Sequence, residues 1–258
     1  MKYGAFIKSL VVAILLLYSG CGSGTSGEGH KKYLAIVDAG SSGSRIYLYT
    51  YKDQNINSIQ TVCSHDIKPG LSSYAQTPSD VGSYISSLVG MLDGCIDEQN
   101  INTQDQKIDF YLLATAGMRS VEESKQDAIY SEVNRSVSTI AYINPVEIKT
   151  ISGEQEGLYD WLAVNFLADV FINCDNKTFG AVDVGGASTQ IAYEVDSLND
   201  ATFSRYIEGC RFDIFSISFL GLGQDRARNS MDGFAGGHNN ICYPKGYNDS
   251  GYNGNFNY

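Results

Sequence analysis

Two short glycine-rich segments of the same design lie 145 residues apart, and they constrain the fold more than any other feature of the sequence. The first is DAGSSGSR (38–45) and the second is DVGGASTQ (183–190). Each follows an apolar run that predicts a buried strand, YLAIVD (33–38) or TFGAVDV (178–184), and each precedes a second strand-like run. A repeat at this spacing indicates two duplicated domains rather than a solenoid of short units.

Both segments place an aspartate at the end of a strand, with glycine and other small residues directly after it. Glycine lets successive backbone N–H groups approach an anion closely, so one such loop predicts a tight hairpin or a phosphate nest, and two favour the nest. Asp38 and Asp183 would then lie beside bound phosphate. Acid next to phosphate is repulsive unless a cation intervenes, so we expect hydrated Mg²⁺ or Ca²⁺.

The chain between the two segments alternates strand and helix patterns. After a less clear strand at 58–64, the pattern predicts a helix at 80–99, a strand at 108–114, a further helix, and a strand at 146–151. Ser152 and Gln155 could form a capping box for a last helix that runs to about Val170. This order predicts an α/β layered fold.

The second repeat is followed by less regular sequence. A third strand is expected near 203–210 and a helix at 214–231, and from Asn229 onward the Asn, Gly and Tyr content is typical of loops. The later strands and helices of the first unit have no counterpart here. The second unit is therefore expected to be incomplete.

The charge of the chain restricts its partners. The 18 basic residues are outnumbered by 29 acidic ones, which gives a net charge of -11 and an isoelectric point near 4.6. A broad attraction to nucleic-acid phosphates is therefore not expected. Anionic substrates would be bound by local devices such as the two glycine loops.

The N-terminus predicts export. Residues 1–20 carry Lys2 and Lys8, and the apolar run 10–18 leads to Ser-Gly-Cys, which indicates a signal peptide too short to span a membrane. The small residues before Cys21 resemble a bacterial lipobox, so Cys21 is a candidate for lipidation, with cleavage to a secreted protein as the alternative. Residues 21–32 are expected to form a flexible tether.

Export permits disulfides, and five cysteines follow Cys21. The number is odd, which leaves the pairing of Cys174, Cys210 and Cys242 open. No CxxC pair occurs and the three histidines are far apart in sequence, so no zinc site is expected.

Two further motifs carry chemistry. In ISGEQEG (151–157) Glu154 is explained by the helix dipole, but Glu156 precedes Gly157, whose cost in a helix suggests close approach by another group. A carboxylate near a phosphate-bound metal can act as general base on water. Thr115 and Arg119 follow the strand 108–114, where a hydroxyl and a guanidinium can meet metal-bound water and phosphate.

The chain resembles the ecto-nucleoside triphosphate diphosphohydrolase (apyrase) family. The resemblance rests on four motifs, which occur in the order and roughly the spacing of the first four conserved regions of that family: DAGSSGSR, ATAGMR, ISGEQEG and VDVGGASTQ. SISFLGLG (216–223) and ICYPKGY (241–247) also resemble later parts of that family. The resemblance implies the two-lobed, ribonuclease-H-like fold of the actin, Hsp70 and sugar-kinase superfamily. The first lobe would be complete (33–170) and the second truncated (171–258).

The resemblance also implies a role for individual residues. Glu156 matches the catalytic base, Ser188 and Gln190 match residues that orient the attacking water, and Gln155 replaces an acid common in the family. The hydrated metal, Ca²⁺ or Mg²⁺, would be held through water by Asp38, Thr115 and Asp183. The expected phosphate-binding residues are Ser41, Ser42, Gly43, Ser44, Arg45, Arg119, Gly185, Gly186 and Ala187. Cys63 and Cys95 fall where the family has a disulfide.

The implied activity is hydrolysis of the terminal phosphates of extracellular nucleoside tri- and diphosphates, at the bacterial periplasm or cell surface or after secretion. A rival within the same superfamily is an exopolyphosphatase or guanosine pentaphosphate phosphatase. A second alternative is a non-catalytic surface lipoprotein that binds nucleotide. The expected partners are nucleotides and no nucleic acid, with membrane contact only through a lipid anchor.

Overall fold

The computed structural model describes residues 31–52, 55–234, 240–249 and 252–256. The described residues do not include the predicted signal segment 1–20 or most of the predicted tether 21–32, with Cys21. The side chain of Cys242 also lies outside them. The first strand already begins at Lys31, so the predicted tether is two residues too long.

Five strands form the first sheet, in the order β3-β2-β1-β4-β5. They are β1 Lys31–Ala39, β2 Ser44–Lys52, β3 Asn55–Ile67, β4 Ile108–Ala114 and β5 Ile143–Thr150. β1, β2 and β3 pair antiparallel, whereas β4 pairs parallel with both β1 and β5. β1 is buried continuously from Leu34 to Ala39 because both faces of this sheet are covered.

Five helices lie between these strands or after them along the chain. They are α1 Val81–Gly90, α2 Asp93–Glu98, α3 Ala116–Arg119, α4 Glu123–Ser138 and α5 Gly153–Leu167. α1 and α4 bury Ile85 and Val133 against one face of the sheet, while α5 covers the other. The predicted order of strands and helices, and with it the α/β fold, is confirmed.

The single helix predicted over 80–99 is wrong, because the chain turns between α1 and α2. The N–H of Leu92 donates to the carbonyl of Val89 at 2.9 Å, a three-residue turn that ends α1. The new direction is held by two tertiary contacts: Tyr142 Oη donates to Asp93 Oδ1 at 2.6 Å, and Cys95 is disulfide-bonded to Cys63 on β3. A periodic pattern of apolar residues does not reveal such a turn.

The strand predicted at 146–151 begins three residues earlier and includes Pro145. β5 is the last strand of the sheet, so the missing N–H of Pro145 is tolerated there. The pairing of β4 with β5 shifts between Phe110, which is the partner of Pro145, and Tyr111.

The second sheet has four antiparallel strands in the order β6-β7-β9-β8. They are β6 Ala181–Val184, β7 Ser188–Glu194, β8 Phe203–Ile207 and β9 Cys210–Leu220. The helix predicted at 214–231 is wrong: the first part of that range belongs to β9, and α6 spans Gln224–Phe234. Burial alternates along β9 from Cys210 to Ser216, which is the period of a strand.

The end of the chain is more ordered than its composition suggests. Three short strands form a further sheet: β10 Asn240–Pro244, β11 Asn248–Asp249 and β12 Tyr252–Phe256. Arg228 on α6 donates from Nε to Tyr243 Oη at 2.8 Å and joins this sheet to the helix. The predicted structureless end is therefore wrong for these segments.

The helix α5 lies between the two large sheets. Its residues Leu158, Trp161 and Leu162 share one apolar cluster with residues of both sheets, among them Leu34, Ile36, Phe212 and Ile214. A helix that is buried on all sides needs apolar residues all round, and α5 has them. The division into lobes at residue 170 stays a prediction, because α5 packs against both.

Candidate active site

The two glycine loops face each other across the space between the sheets. The first joins β1 to β2 and the second joins β6 to β7, and the paired positions match: Asp38 lies opposite Arg45, and Asp183 opposite Gln190. A Cβ atom placed on Gly186 would lie 2.8 Å from Ser41 Oγ. The segments predicted to bind phosphate are thus brought together.

A glycine from another part of the chain supports each loop. A Cβ atom on Gly117 would lie 2.8 Å from Ser41 Cα, and one on Gly223 would lie 2.5 Å from the backbone of Gly186. The carbonyl of Gly186 also accepts from the N–H of Asp225 at 3.0 Å, at the start of α6. These close backbone contacts fix the loops in position.

Glu156 is buried where the two units meet, with only 5% of its surface exposed. Its Oε2 accepts from both terminal nitrogens of Arg119 at 2.8 Å and from Gln190 Nε2 at 3.1 Å. Ser188 Oγ accepts from Arg119 at 2.9 Å and from Gln190 at 2.6 Å. The structure therefore brings together the predicted base and the two residues predicted to orient water.

The local sequence explains why Glu156 points into this space. Ser152 and Gln155 form the predicted capping box, with Gln155 N–H donating to Ser152 Oγ at 3.1 Å and Ser152 N–H to Gln155 Oε1 at 3.0 Å. The helix thus begins at a fixed residue. A Cβ atom on Gly157 would lie 2.5 Å from Ser216 Oγ, which confirms the predicted close approach and lets α5 lie against β9.

Burial and charge set the pKa of Glu156. Its pKa is raised from the ordinary value of 4.5 to about 7: burial is the largest cause, the Arg119 guanidinium opposes it, and the carboxylates of Asp38 and Asp183 add to it. A carboxyl group that titrates near neutral pH is suited to accept a proton.

The predicted metal-holding residues lie at the ends of neighbouring strands. Asp38 is the last residue but one of β1, and the N–H of Thr115, directly after β4, donates to the carbonyl of Ala39 at 3.2 Å. Burial raises the pKa of Asp38 to about 6 against the opposing charge of Arg45, and burial also raises the pKa of Asp183. Carboxylate and hydroxyl oxygens suit Ca²⁺ and Mg²⁺.

Two buried oxygens near these residues have no described donor: Oε1 of Gln190 and Oδ2 of Asp160. Buried acceptors are normally satisfied by protein or by ordered water. A hydrated cation provides such water, so the residues present fit a Ca²⁺ or Mg²⁺ site.

The remaining predicted phosphate-binding residues occupy different environments. Ser42 and Arg45 are exposed, Ser41, Gly43, Gly185 and Gly186 are half-buried, and Ala187 and Ser44 are buried. Because the side chain of Ser44 is fully buried, it does not face the cleft as Ser41 does. Arg119, predicted to bind phosphate, instead contacts Glu156 and Ser188 in this structure.

Sequence reasoning missed three polar residues of the site. Gln190 Nε2 donates to Ser218 Oγ at 2.9 Å, and Ser216 Oγ donates to the carbonyl of Glu154 at 2.9 Å. Both serines lie on β9, and their alternation in SISF would have identified them if that segment had been recognised as a strand. Asp160 is the third, and in sequence it is one acid among many.

Two disulfides join described cysteines. Cys63 is bonded to Cys95, the pair that the resemblance implied, and Cys174 is bonded to Cys210, which answers part of the open pairing. His65 Nε2 lies 3.5 Å from Cys95 Sγ, so this histidine is close to the first disulfide.

Fold and site together define a two-lobed α/β protein in which paired glycine loops surround a buried acid. The model of the GDA1/CD39 (nucleoside phosphatase) family matches residues 25–253, so the chain belongs to that family. None of the helices in the described part of the chain is long and apolar enough to cross a membrane.

Several named proteins are similar to this chain. It is 29% identical to nucleoside-triphosphatase ntp-1 of Caenorhabditis elegans, over 84% of this chain and 44% of that protein. It is 31% identical to ectonucleoside triphosphate diphosphohydrolase 1 of Mus musculus (85% and 46%) and 33% identical to probable apyrase 5 of Arabidopsis thaliana (83% and 47%). The chain thus spans about half the length of these relatives.

A solved structure shows the same fold. The nucleoside triphosphate hydrolase of Neospora caninum superposes with a TM-score of 0.61 at 20% identity, over 76% of this chain and 46% of that one.

Proposed function

We propose that this protein hydrolyses the terminal phosphates of nucleoside tri- and diphosphates, from ATP and ADP to AMP, by direct attack of water. The observation that carries the proposal is the buried Glu156, which shares hydrogen-bond donors with Ser188 between two facing glycine loops. The names of the relatives, among them a nucleoside-triphosphatase and an ectonucleoside triphosphate diphosphohydrolase, support the same substrate class.

Glu156 acts as the general base. Water between Glu156 and the terminal phosphorus gives one proton to the carboxylate as its oxygen forms the new bond to phosphorus. The bond from phosphorus to the bridging oxygen breaks, and the shortened nucleotide leaves with that electron pair. Arg119 lowers the pKa of Glu156 and keeps more of it in the ionised form that the reaction needs.

Gln190 and Ser188 orient that water. All three hydrogen bonds of the Gln190 amide described here come from Nε2, so Oε1 is free among the described residues to accept the second hydrogen of the water. Ser188 Oγ accepts two hydrogen bonds, which leaves its own O–H to donate. The pair therefore provides one acceptor and one donor in fixed positions.

The glycine loops bind the phosphates. Backbone N–H groups of Ser41 to Arg45 and of Gly185 to Ala187 would contact consecutive phosphates, because the loops face each other. Asp38, Thr115 and Asp183 would hold Ca²⁺ or Mg²⁺ through water, and the cation would supply positive charge to the phosphate oxygens.

The location of the protein follows from the same interpretation. Residues 1–20 would direct export, Cys21 would carry a lipid anchor, and the two lobes would comprise residues 33–170 and 171–258. The enzyme would then act on nucleotides outside the cytoplasm, consistent with an ecto-enzyme among its relatives.

The test measures phosphate release from ATP and ADP with Ca²⁺, Mg²⁺ or chelator, on the 258-residue chain and on any longer chain from the same reading frame. We expect Glu156→Gln to lower kcat by about 10²- to 10⁴-fold, the usual contribution of a general base. Glu154→Gln is the matched control, since it removes a half-buried acid from the first turn of the same helix.

Three results would contradict the proposal. Near-normal turnover by Glu156→Gln would remove Glu156 from the role of base. Hydrolysis of polyphosphate but not of ATP or ADP would favour the exopolyphosphatase alternative. Nucleotide binding without turnover in every chain and with every cation would favour a binding protein.

A further inference from the structure

Asp160 is a buried acid that the proposed mechanism does not use. It lies on α5 one helical turn after Glu156, so the two carboxyl groups share one face of the helix. Only 6% of its surface is exposed. Its Oδ2 has no hydrogen-bond partner among the described residues, an arrangement that is unfavourable unless water or an ion satisfies the oxygen.

We propose that Asp160 is a further residue of the divalent-cation site, where its Oδ2 accepts a hydrogen bond from water bound to the cation. This inference rests on the proposed function, since it extends the site attributed above to Asp38, Thr115 and Asp183. It adds a third carboxyl group, from the helix α5, to those of Asp38 on β1 and Asp183 on β6.

The surroundings of α5 place Asp160 toward this site. Gly157, three residues before it, approaches Gln190 and Ser216 of the second sheet, where a Cβ atom would lie 3.4 Å from Gln190 Cβ. Gln190 is the partner of Asp183 in the β6–β7 pair. The face of α5 that carries Glu156 and Asp160 therefore packs toward β7, the strand that pairs with β6 and its Asp183.

Charges in the site act on Asp160 as well. Burial raises its pKa well above the ordinary value, and the carboxylates of Asp183, Glu156 and Asp38 raise it further, in that order. All three acids are therefore within electrostatic range of Asp160.

The acids of this site outnumber the arginines that form ion pairs with them among the described residues. Arg119 pairs with Glu156 at 2.8 Å and Arg45 lies 3.9 Å from Asp38, but no described lysine or arginine forms an ion pair with Asp160 or Asp183. Buried carboxylates need a compensating charge. A divalent cation would supply the two charges by which four ionised acids exceed two guanidinium groups, and it would favour the ionised form of Asp160, whose pKa is raised without it.

The experiment compares cation binding by the wild-type chain and by Asp160→Asn, without nucleotide. Asparagine has nearly the same shape but cannot ionise. Titration calorimetry with Ca²⁺ and with Mg²⁺ should show about 10- to 100-fold weaker binding, as is usual when a group that supports metal ligands is removed. The control Glu154→Gln loses an acid from the same helix and should bind within about twofold of wild type.

The single tryptophan of the chain provides a local probe. Trp161 is adjacent to Asp160, so luminescence of bound Tb³⁺ excited through tryptophan should report an ion close to this turn of α5. We expect a strong signal from wild type, competition by Ca²⁺, and a much weaker signal from Asp160→Asn. Trp161→Phe should abolish the luminescence while calorimetry still detects binding.

The outcomes separate this inference from the proposed function. Equal cation affinity in wild type and Asp160→Asn would overturn the role of Asp160 and indicate an ordered water alone at Oδ2. A wild-type chain that binds neither cation would instead contradict the cation part of the proposed function. If Asp160→Asn fails to fold without cation, Asp160→Ser gives the same comparison, with equal affinity again overturning the role.

Discussion

The two glycine hairpins have one geometry and different chemistry. Asp38 and Asp183 occupy equivalent positions, and the residues opposite them, Arg45 and Gln190, are also equivalent. In the first hairpin the arginine is half exposed and lies 3.9 Å from its aspartate, whereas in the second the glutamine is buried and bonds Glu156. The two hairpins thus share backbone positions, and the side chains at those positions decide which hairpin supports the proposed reaction.

This difference predicts that replacing the side chain by alanine at the two equivalent positions has unequal effects on catalysis. Gln190→Ala removes a donor fixed in a buried site, and we expect kcat to fall by about 10²- to 10³-fold, as when one preorganised donor is lost. Arg45→Ala removes a charge that solvent screens, and we expect a loss of about tenfold, mainly through KM. Steady-state kinetics with ATP tests both, and similar losses in kcat would show that the hairpins contribute alike.

The pH dependence of stability tests how the two hairpins act on the helix between them. Glu156 has a folded-state pKa of about 7 against 4.5 in the unfolded chain, raised chiefly by burial and in part by Asp38 and Asp183. The folded state therefore binds the proton more tightly, so its contribution to the free energy of unfolding is complete below about pH 4.5 and is lost as the pH rises to 7. The loss should be about 3 kcal/mol.

Urea denaturation between pH 4 and 8 in chelator measures this loss. The free energy of unfolding of Glu156→Gln should decrease less over the same pH range. The part of the decrease that comes from Asp38, whose pKa is raised to about 6, should remain. An identical pH profile in the variant would mean that Glu156 titrates near its ordinary value.

The hairpins also differ in how their strands are covered. Val37 and Val182 occupy equivalent positions one residue before the two aspartates, but Val37 is fully buried and Val182 is 68% exposed. β1 pairs with β4 along its other edge, while β6 pairs there with no strand of the described chain. The first unit can therefore place Thr115 beside Asp38, and the second unit has no equivalent in the described residues.

We expect Val37→Ala to lower the free energy of unfolding by about 2 kcal/mol, because it opens a cavity in a packed core. Val182→Ala should cost less than about 0.5 kcal/mol, as for most exposed positions. Chemical denaturation of both variants measures the contrast. A cost at Val182 equal to that at Val37 would show that this face of the second sheet is covered in solution.

Much of the fold could be predicted because local signals agreed with tertiary packing. The two hairpins combine a buried strand with a glycine turn, and the capping box at Ser152 fixes the start of α5. Gly157 indicated a close approach before its partner, Ser216, was known. In each case a few adjacent residues carry the physical reason for the structure.

The failures arose where distant contacts decide the structure. The part of β9 from Ile214 onward is predicted as a helix because the residues opposite it, on β7 and α5, are not visible in a linear pattern. The turn between α1 and α2 depends on Cys63 and Tyr142, each more than 30 residues from the residue of α2 that it contacts. Ser218 is identified only by its hydrogen bond to Gln190, and Asp160 only by its burial and the unpartnered Oδ2.

The position of α5 between the sheets affects how long the helix stays partly exposed during synthesis. During synthesis the helix leaves the ribosome before β9, which covers its second face, has been made. At about 5–20 residues per second, the 50-odd residues from the end of α5 to the end of β9 take roughly 3–10 s. For that interval Trp161 and Leu158 lack part of the surface that buries them, and a chaperone that binds apolar helices would have its best opportunity to act on the nascent chain.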